Sequence, residues 1–475
     1  MKPRIYPGLR TAAGALCLAV LASCTTVGPD FEAPEPEVPS SYDAPVPSRF
    51  QGNSSKDHWW ELFEDSTLSD LVRLGLDQNL EIRTAASRVR EARAQAEGVT
   101  AQSTPNFDLS GEGSGSISRS LGDSDYTRSG SLDAILDGSW EIDLFGRLAR
   151  SEEAAWARAE REEALRREAI RLTTAEIVRN FINLRAEQQR LSLTERSLDL
   201  QEQTLKLVQQ RVASGLAPGL DEVRAQASLS SLRADLGPIR SDMKNYENAL
   251  ATLVDRVPGS LSAMLEGREP IPDIQDGHTV GMPLDMVRNR PDIHAAELQV
   301  AAATAEIGVA IAELYPRLTL PGTLSLSRSG IGTENIVNTI MGTLSLLLQV
   351  PLYDGGERRA EVTAAEERAE QALLNYRDTL LTALQEVEAT LLNYRGTALR
   401  IRSLEEAVEN NRLAYEQSQE LYRQGFASFI DVLDSQRELT TSEQQLAEAE
   451  RQLGLETVNL YAALGSGIEE EGRGS

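Results

Sequence analysis

Side chains that commonly carry chemistry are sparse in this 475-residue chain. Its three histidines, His58, His278 and His294, are not spaced with another histidine or a cysteine as metal ligands are. No glycine loop has the form that cradles phosphate, and acidic pairs such as Glu152-Glu153 and Glu366-Glu367 read as solvated helix faces. Neither enzymatic activity nor a bound metal or cofactor is therefore expected. Covalent chemistry is expected at one residue, Cys24. Lys2, Arg4 and Arg10 precede an apolar run from Ala12 to Ala22, the order of a secretory signal and too short to span a bilayer. Leu21-Ala22-Ser23-Cys24 then has the small residues and cysteine of a lipobox. Cleavage would remove residues 1–23 and leave Cys24 as the acylated first residue; the other reading is an ordinary signal peptide with a chance cysteine. Cys17 lies in the discarded part, so no disulfide framework is expected.

The elements that follow are long helices and a few strands. Hydrophobic residues make up 41% of the chain but aromatics only 5%, which suits helices packed through Leu, Ala and Val. The net charge of −26 argues against nucleic-acid binding and suits an acidic surface or a water-filled lumen. No run of 18 apolar residues occurs, so any crossing of a bilayer is expected to be made by strands.

The chain is written twice, with a period of about 210 residues. Gly215-Leu216-Ala217-Pro218-Gly219-Leu220-Asp221 matches Gly425-Phe426-Ala427-Ser428-Phe429-Ile430-Asp431, and Gln226 matches Gln436. Weaker echoes keep the order: Asn79-Leu80-Glu81-Ile82 with Arg290-Pro291-Asp292-Ile293, Pro105 with Pro316, and Ile142-Asp143-Leu144-Phe145 with Val350-Pro351-Leu352-Tyr353. Each half reads as a helix, two strands and two long helices. Ile177, Leu184, Leu191, Leu198, Leu205 and Val212 fall seven apart, as do Leu373, Leu380, Val387, Tyr394, Ile401, Val408, Tyr415 and Tyr422, which means coiled-coil packing. From Arg147 to Ser214 such a helix would be roughly 100 Å long. Gly237-Pro238 is expected to interrupt the first return helix.

The strands alternate with period two: Leu132, Ala134, Leu136, Gly138 and Trp140 against Ser131, Asp133, Ile135, Asp137 and Ser139, and likewise Leu318, Leu320, Leu324 and Leu326 against Thr319, Thr323, Ser325 and Ser327. A half-buried soluble sheet shows the same alternation; after a lipoprotein signal it reads as lipid on one side and water on the other. Four strands cannot close a transmembrane barrel, so the protomer must oligomerise. The expected divisions are a signal peptide at 1–23, an extended segment at 24–56, first-half helices at 57–104, transmembrane strands at 105–145, a coiled-coil hairpin at 146–257 with its tip near 215, and a connection at 258–280. The second half follows with a helix at 281–315, strands at 316–353, a hairpin at 354–465 with its tip near 425, and an acidic tail at 466–475.

The chain resembles the TolC-like outer-membrane efflux channels, in particular the lipoprotein branch of multidrug-efflux outer-membrane factors. The resemblance rests on Trp59-Trp60-Glu61-Leu62-Phe63 with Leu68 and Asn79, Trp140-Glu141-Ile142-Asp143-Leu144-Phe145-Gly146-Arg147, Arg290-Pro291-Asp292-Ile293, Pro351-Leu352-Tyr353-Asp354-Gly355-Gly356, and Asn459-Leu460-Tyr461-Ala462-Ala463-Leu464-Gly465. It implies a homotrimer with a twelve-stranded outer-membrane β-barrel that continues into a periplasmic α-helical barrel. The implied role is a passive exit duct for drugs and other small toxic compounds. Implied partners are a periplasmic membrane-fusion adaptor, an inner-membrane pump expected to be proton-driven, and outer-membrane lipid. Thr25 stands where an inner-membrane retention signal carries Asp, which implies outer-membrane sorting. Gly215, Leu216 and Ala217, with Gly425, Phe426, Ala427 and Ser428, would touch the adaptor. Asp431 and Asp434 would ring the periplasmic entrance; alternatively they are solvated helix-start acids. Tyr422 would tie the gate shut against Asp221 of a neighbouring tip, and Ala427 stands where some relatives place an arginine clasp, leaving Arg423 or Arg211 for that role. The rival readings are a periplasmic adaptor and a structural envelope lipoprotein without a pore.

Overall fold

The computed structural model describes residues 26–50, 58–119, 121–122, 126–267, 269–272, 280–331 and 335–466. Cys24, the signal segment and the acidic tail beyond Ser466 lie outside the described residues. The first half runs α1 (Ser66–Gln78), α2 (Leu80–Ala101), β1 (Asn106–Ser118), β2 (Thr127–Ile142), α3 (Arg147–Ala213) and α4 (Gly219–Leu253), followed by a short α5 (Ser262–Leu265). The second half repeats the order: α6 (Pro283–Asn289), α7 (Pro291–Ala312), β3 (Arg317–Ile331), β4 (Asn335–Leu344), β5 (Leu347–Gln349), α8 (Glu357–Gln424) and α9 (Phe429–Ala463). The long helices match closely in length, 67 and 68 residues for α3 and α8 and 35 each for α4 and α9.

The duplication reaches single bonds. Positive φ recurs at matching positions, Gly146 with Gly356, Gly215 with Gly425, and Asp255 with Gly465. The Asn79 amide donates to the carbonyl of Leu253 at the end of α4 (2.7 Å), while its own oxygen accepts from the N–H groups of Glu81 and Ile82. Arg290, its counterpart, donates to the carbonyl of Ala463 at the end of α9 (3.0 Å). Each return helix is thus closed by a side chain from the start of its own half, which satisfies a C-terminal carbonyl that the helix leaves unpaired.

Two compact units divide the chain: Met1–Glu35, Arg88–Glu163 and Ala295–Arg377 form one, and Pro36–Ser87, Ala164–His294 and Asp378–Ser475 the other. The first holds the sheet. Its strands lie in the order β1-β2-β3-β4, all antiparallel, with β5 pairing β3 where β4 stops. The stop lies opposite Pro321. Ser345 donates its N–H to the carbonyl of Pro321 (2.9 Å), but proline has no N–H to return, so the ladder breaks there and resumes at Leu347 in the same register. The pairing puts the apolar residues on one face: Phe107, Gly138, Gly322 and Leu344 form one cross-strand row, and Leu109, Leu136, Leu324 and Gly342 the next. These side chains lie in the open, with Phe107 70%, Leu109 77% and Leu344 75% exposed. The opposite face carries hydroxyls and carboxylates, tied by Ser114–Ser131 (2.9 Å), Ser116–Ser129 (2.7 Å) and Thr323–Asp137 (2.9 Å) contacts. Below the strands, Arg147 holds Glu141 through two bonds of 2.9 Å, and Arg317 bonds Glu313 (2.6 Å). Helix α7 is long and apolar enough to cross a bilayer, which the sequence reading reserved for strands; half of it is buried in the protein.

The second unit holds the two helical hairpins. The heptad of α8 is buried at Leu380, Val387, Tyr394, Val408, Tyr415 and Tyr422, whereas Ile401 is half-buried and Leu373, which belongs to the first unit, is exposed. In α3 it holds only as far as Leu191. Beyond it Leu198 and Leu205 are half-buried, and Thr194, Ser197, Gln201, Thr204 and Val208 turn inward instead. The cause is two-sided packing: Gln201 donates to Ala225 of α4 (3.1 Å) while Ser197 meets Thr440 of α9 (3.4 Å), so the inner stripe covers more than one heptad row. The expected interruption at Gly237-Pro238 does not break α4, which runs through Pro238. Ala234, Gly237 and Pro238 are all exposed, so the carbonyl that loses its donor faces water.

Candidate functional site at the two hairpin turns

Both long helices end in the same way. Gly215 takes φ 72° and Gly425 φ 84°, left-handed values that suit glycine. Leu216 donates its N–H to Arg211 (2.8 Å) and Gly215 to Val212 (3.0 Å); Phe426 donates to Leu421 (2.8 Å) and Gly425 to Tyr422 (3.1 Å). These paired bonds are the Schellman arrangement that closes a helix C-terminus. The turns leave Leu216, Leu220 and Val223 of the first and Phe426 and Ile430 of the second exposed. Ala217 and Ala427 are half-buried.

Beneath the turns a core of Val208, Ala225, Val408, Tyr415, Tyr422, Phe429, Val432 and Leu439 joins the hairpins. Arg211 links them most directly. Its guanidinium lies 4.5 Å from the centre of the Tyr422 ring and donates to the carbonyls of Tyr422 and Arg423. Arg423 itself stays on its own helix, bonded to Gln419 (3.1 Å). Tyr422 is 3% exposed, and its hydroxyl has no hydrogen-bond partner among the described residues. Burial pushes this phenol up from its ordinary pKa; the Arg211 charge works against the rise and Asp221 adds to it. Asp221 therefore stands near Tyr422 without a bond to it.

The two aspartates of the second turn are engaged separately. Asp431 closes a capping box: its carboxylate accepts from the Ser428 N–H (2.8 Å) and hydroxyl (2.7 Å), and its own N–H reaches Ser428 Oγ (3.4 Å). Those Ser428 bonds hold its carboxyl below the usual aspartate range. Asp434 pairs with Arg437 on the same helix. Both carboxylates are exposed. The helix-start role is therefore filled within one chain by Asp431.

Several residues away from the turns hold the fold through contacts that motif and spacing did not assign. Arg290, 3% exposed, holds Asp292 through bonds of 3.0 and 2.6 Å and Glu386 at 2.7 Å. Burial alone would lower the pKa of Arg290, but these carboxylates more than offset it and the net shift is upward. Trp59 stacks on Tyr461 at 5.3 Å, and Phe50 meets Tyr394 and Tyr461 edge-on. In the other unit, Arg150 binds the carbonyl of Val27 (3.2 Å) and the carboxylates of Asp30 (2.6 Å) and Glu153 (2.7 Å), fixing the chain soon after Cys24. A lone arginine on a polar helix carries no spacing signal, so only geometry reveals it. Among the described residues no group of His, Cys, Asp and Glu is arranged to hold a metal.

Comparisons with known proteins agree with this architecture. Nodulation protein T of Rhizobium leguminosarum bv. viciae is 32% identical over 461 residues, covering 97% of this chain and 94% of its own. Cation efflux system protein CusC of Escherichia coli (strain K12) is 26% identical, covering 95% and 98%. The outer-membrane channel OprN superposes with a TM-score of 0.85 at 31% identity, over 93% of this chain and 99% of that one. The pattern described as outer membrane efflux protein matches residues 71–255 and again 284–466, one match to each half of the duplication. The chain belongs to the outer membrane efflux protein family.

Proposed function

We propose that this protein is the passive outer-membrane exit duct of a tripartite efflux system, working as a trimer. The observation that carries the reading is the sheet: four antiparallel strand positions in linear order, β4 and β5 together filling the fourth, apolar on one face and polar on the other, with β1 at one edge and β4–β5 at the other. An open edge is not tolerated in hydrocarbon. Three copies joined edge to edge give twelve strands and no edge, with lipid against the leucines and water against the serines and aspartates. The helices of three copies then form a periplasmic tunnel, and Cys24 supplies a lipid anchor.

The two hairpin turns are the adaptor-facing end, with Leu216, Ala217, Phe426, Ala427 and Ser428 as contacts. Their exposed apolar side chains suit a protein partner. Asp431 and Asp434 from three chains form an acidic ring that attracts cations, and Tyr422 and Asp221 hold the entrance closed together with one arginine, Arg423 or Arg211, of which Arg211 is the one that already bridges the hairpins. The pump, expected to be proton-driven, supplies the energy, and no reaction is catalysed by the duct. Relatives named for cation efflux and for pyoverdine export fit a duct whose cargo is chosen by its partners.

Purified trimer in planar bilayers should show single-channel conductance with cation preference, and absence of pores would overturn the duct. Replacing both Asp431 and Asp434 with Ala should lower cation preference and weaken block by divalent ions; unchanged selectivity would remove the ring.

A further inference from the structure

The sheet separates charge by face. Every strand carboxylate, Asp108, Glu112, Asp133, Asp137 and Glu141, lies on the polar face, whereas Arg128 and Arg328 lie on the apolar one. Both arginines are exposed, and neither has a carboxylate within ion-pair distance among the described residues. Arg328 stands opposite Leu132, in the first row where the apolar face ceases to be purely apolar. From Leu320, which pairs with Trp140, Arg328 is roughly 26 Å along the strand. With the usual tilt that is about 20 Å of height, against an apolar band about 25 Å tall. It therefore stands at the rim nearest the β1–β2 and β3–β4 connections, the end of the strands away from the helices.

Between the two arginine rows runs a strip without side chains: Gly115 pairs with Gly130, and Gly130 with Gly330. None of the three has a positive φ. A Cβ at Gly115 would meet nothing within 4 Å, and one at Gly130 only the Ser114 carbonyl oxygen at 3.4 Å. The fold does not require glycine at these two positions, and glycine weakens a strand; strand glycine often marks a bulge, a bend or a close approach from outside, and the continuous register here leaves no bulge. The result is a shallow recess floored by backbone, with Arg328 on one side and Arg128 on the other, and Ile336 at its end.

We infer that this recess binds the phosphate of an anionic, phosphorylated lipid headgroup in the outer leaflet, with the two arginines as its ligands. Guanidinium is suited to phosphate by its fork of donors, and an arginine on the lipid-facing side is least costly at the headgroup level. Glycine lets the headgroup rest against the sheet while its acyl chains lie along Leu132, Leu326 and Ile340. The inference rests on the outer-membrane reading above.

The test uses purified full-length trimer in detergent, with a diglucosamine-based glycolipid carrying phosphate and its dephosphorylated form as probes, bound lipid being counted by native mass spectrometry. The phosphorylated form should bind at least about tenfold more tightly. The double variant Arg128→Gln, Arg328→Gln should lose that preference, and Gly130→Val, which fills the recess without changing charge, should weaken binding by a similar factor. Equal binding of the two lipids by the unaltered protein overturns the inference, as does full displacement by millimolar inorganic phosphate, which would assign the site to free anion. Conductance in zwitterionic bilayers separates the two failures. If the unaltered protein conducts but shows no lipid preference, only the headgroup site falls; if it neither inserts nor conducts, the membrane reading falls first.

Discussion

The two hairpin turns have one backbone and two sets of side chains. In both, a left-handed glycine and a pair of 5→2 and 6→1 bonds end a very long helix. The helix that follows begins differently. At the second turn Ser428 and Asp431 cap each other; at the first the capping position is Pro218, and no side chain accepts a bond there. Arg211 reaches across from the first hairpin to the second, and nothing at the matching position, Leu421, returns the gesture. After duplication the turn itself was kept by glycine, while the functions around it were divided. One hairpin became the holder and the other the held.

Arg211→Ala breaks that division most directly. It removes charge-assisted bonds to two carbonyls, of which one is typically worth about 1.5–3 kcal/mol, together with a ring contact of about 0.5–1 kcal/mol. Local opening of the second turn should rise by about one and a half to three orders of magnitude, read as faster amide exchange from Tyr422 to Phe426, and channel open time should increase. Arg211→Lys should fall between, because it keeps charge but not the planar fork. Unchanged exchange at the second turn would show that the hairpins are not coupled there. Next in size, alanine at Gly215 or Gly425 should cost about 1–2 kcal/mol in either turn, since both require left-handed backbone. Unequal losses of thermal stability would mean the two backbones are less alike than their bonds suggest.

Much of this was legible in the sequence, for physical reasons that differ by element. The strands were readable because pairing in a sheet has a strict period of two, so the Leu132–Trp140 and Leu318–Leu326 alternations survive unchanged into the register. The turns were readable because glycine at a left-handed position leaves a residue-type signature at Gly215 and Gly425. Helix α3 was only half readable: it touches two neighbours, and Thr194, Gln201 and Thr204 occupy the inner stripe where leucines were expected. Pro321 was visible, but its effect on the strand opposite depends on which partner lies across from it. Arg150, Arg211 and Arg290 act over 120, 211 and 96 residues of separation. No spacing rule encodes such bonds.

A smaller effect separates the two helix starts. Ser428→Ala should destabilise the second turn by about 1 kcal/mol. Pro218→Ser, which places a serine three residues before Asp221 as Ser428 stands before Asp431, should stabilise the first by a similar or smaller amount. Thermal denaturation of detergent-solubilised trimer, with limited proteolysis to localise the change, checks both. If Pro218→Ser stabilises nothing, the first turn is held by its packing and not by its cap.

The smallest expected effect is a dependence on acid that only the second turn should show through its cap. Asp431 is held below the usual aspartate pKa by the Ser428 hydroxyl and N–H, so the folded turn favours the ionised form more than the unfolded chain does. Its contribution is therefore complete above the unfolded value, about 3.9, and is lost as pH falls through the lower folded one. Amide protection at Asp431, corrected for intrinsic exchange, should weaken as pH is taken from about 5 to below about 3. In Ser428→Ala the hydroxyl bond, the larger cause of the lowered pKa, is gone and only the backbone N–H bond remains, so the same descent should weaken protection at this turn less. A pH response that persists unchanged in that variant would assign it to another acid and remove the capping box as its cause.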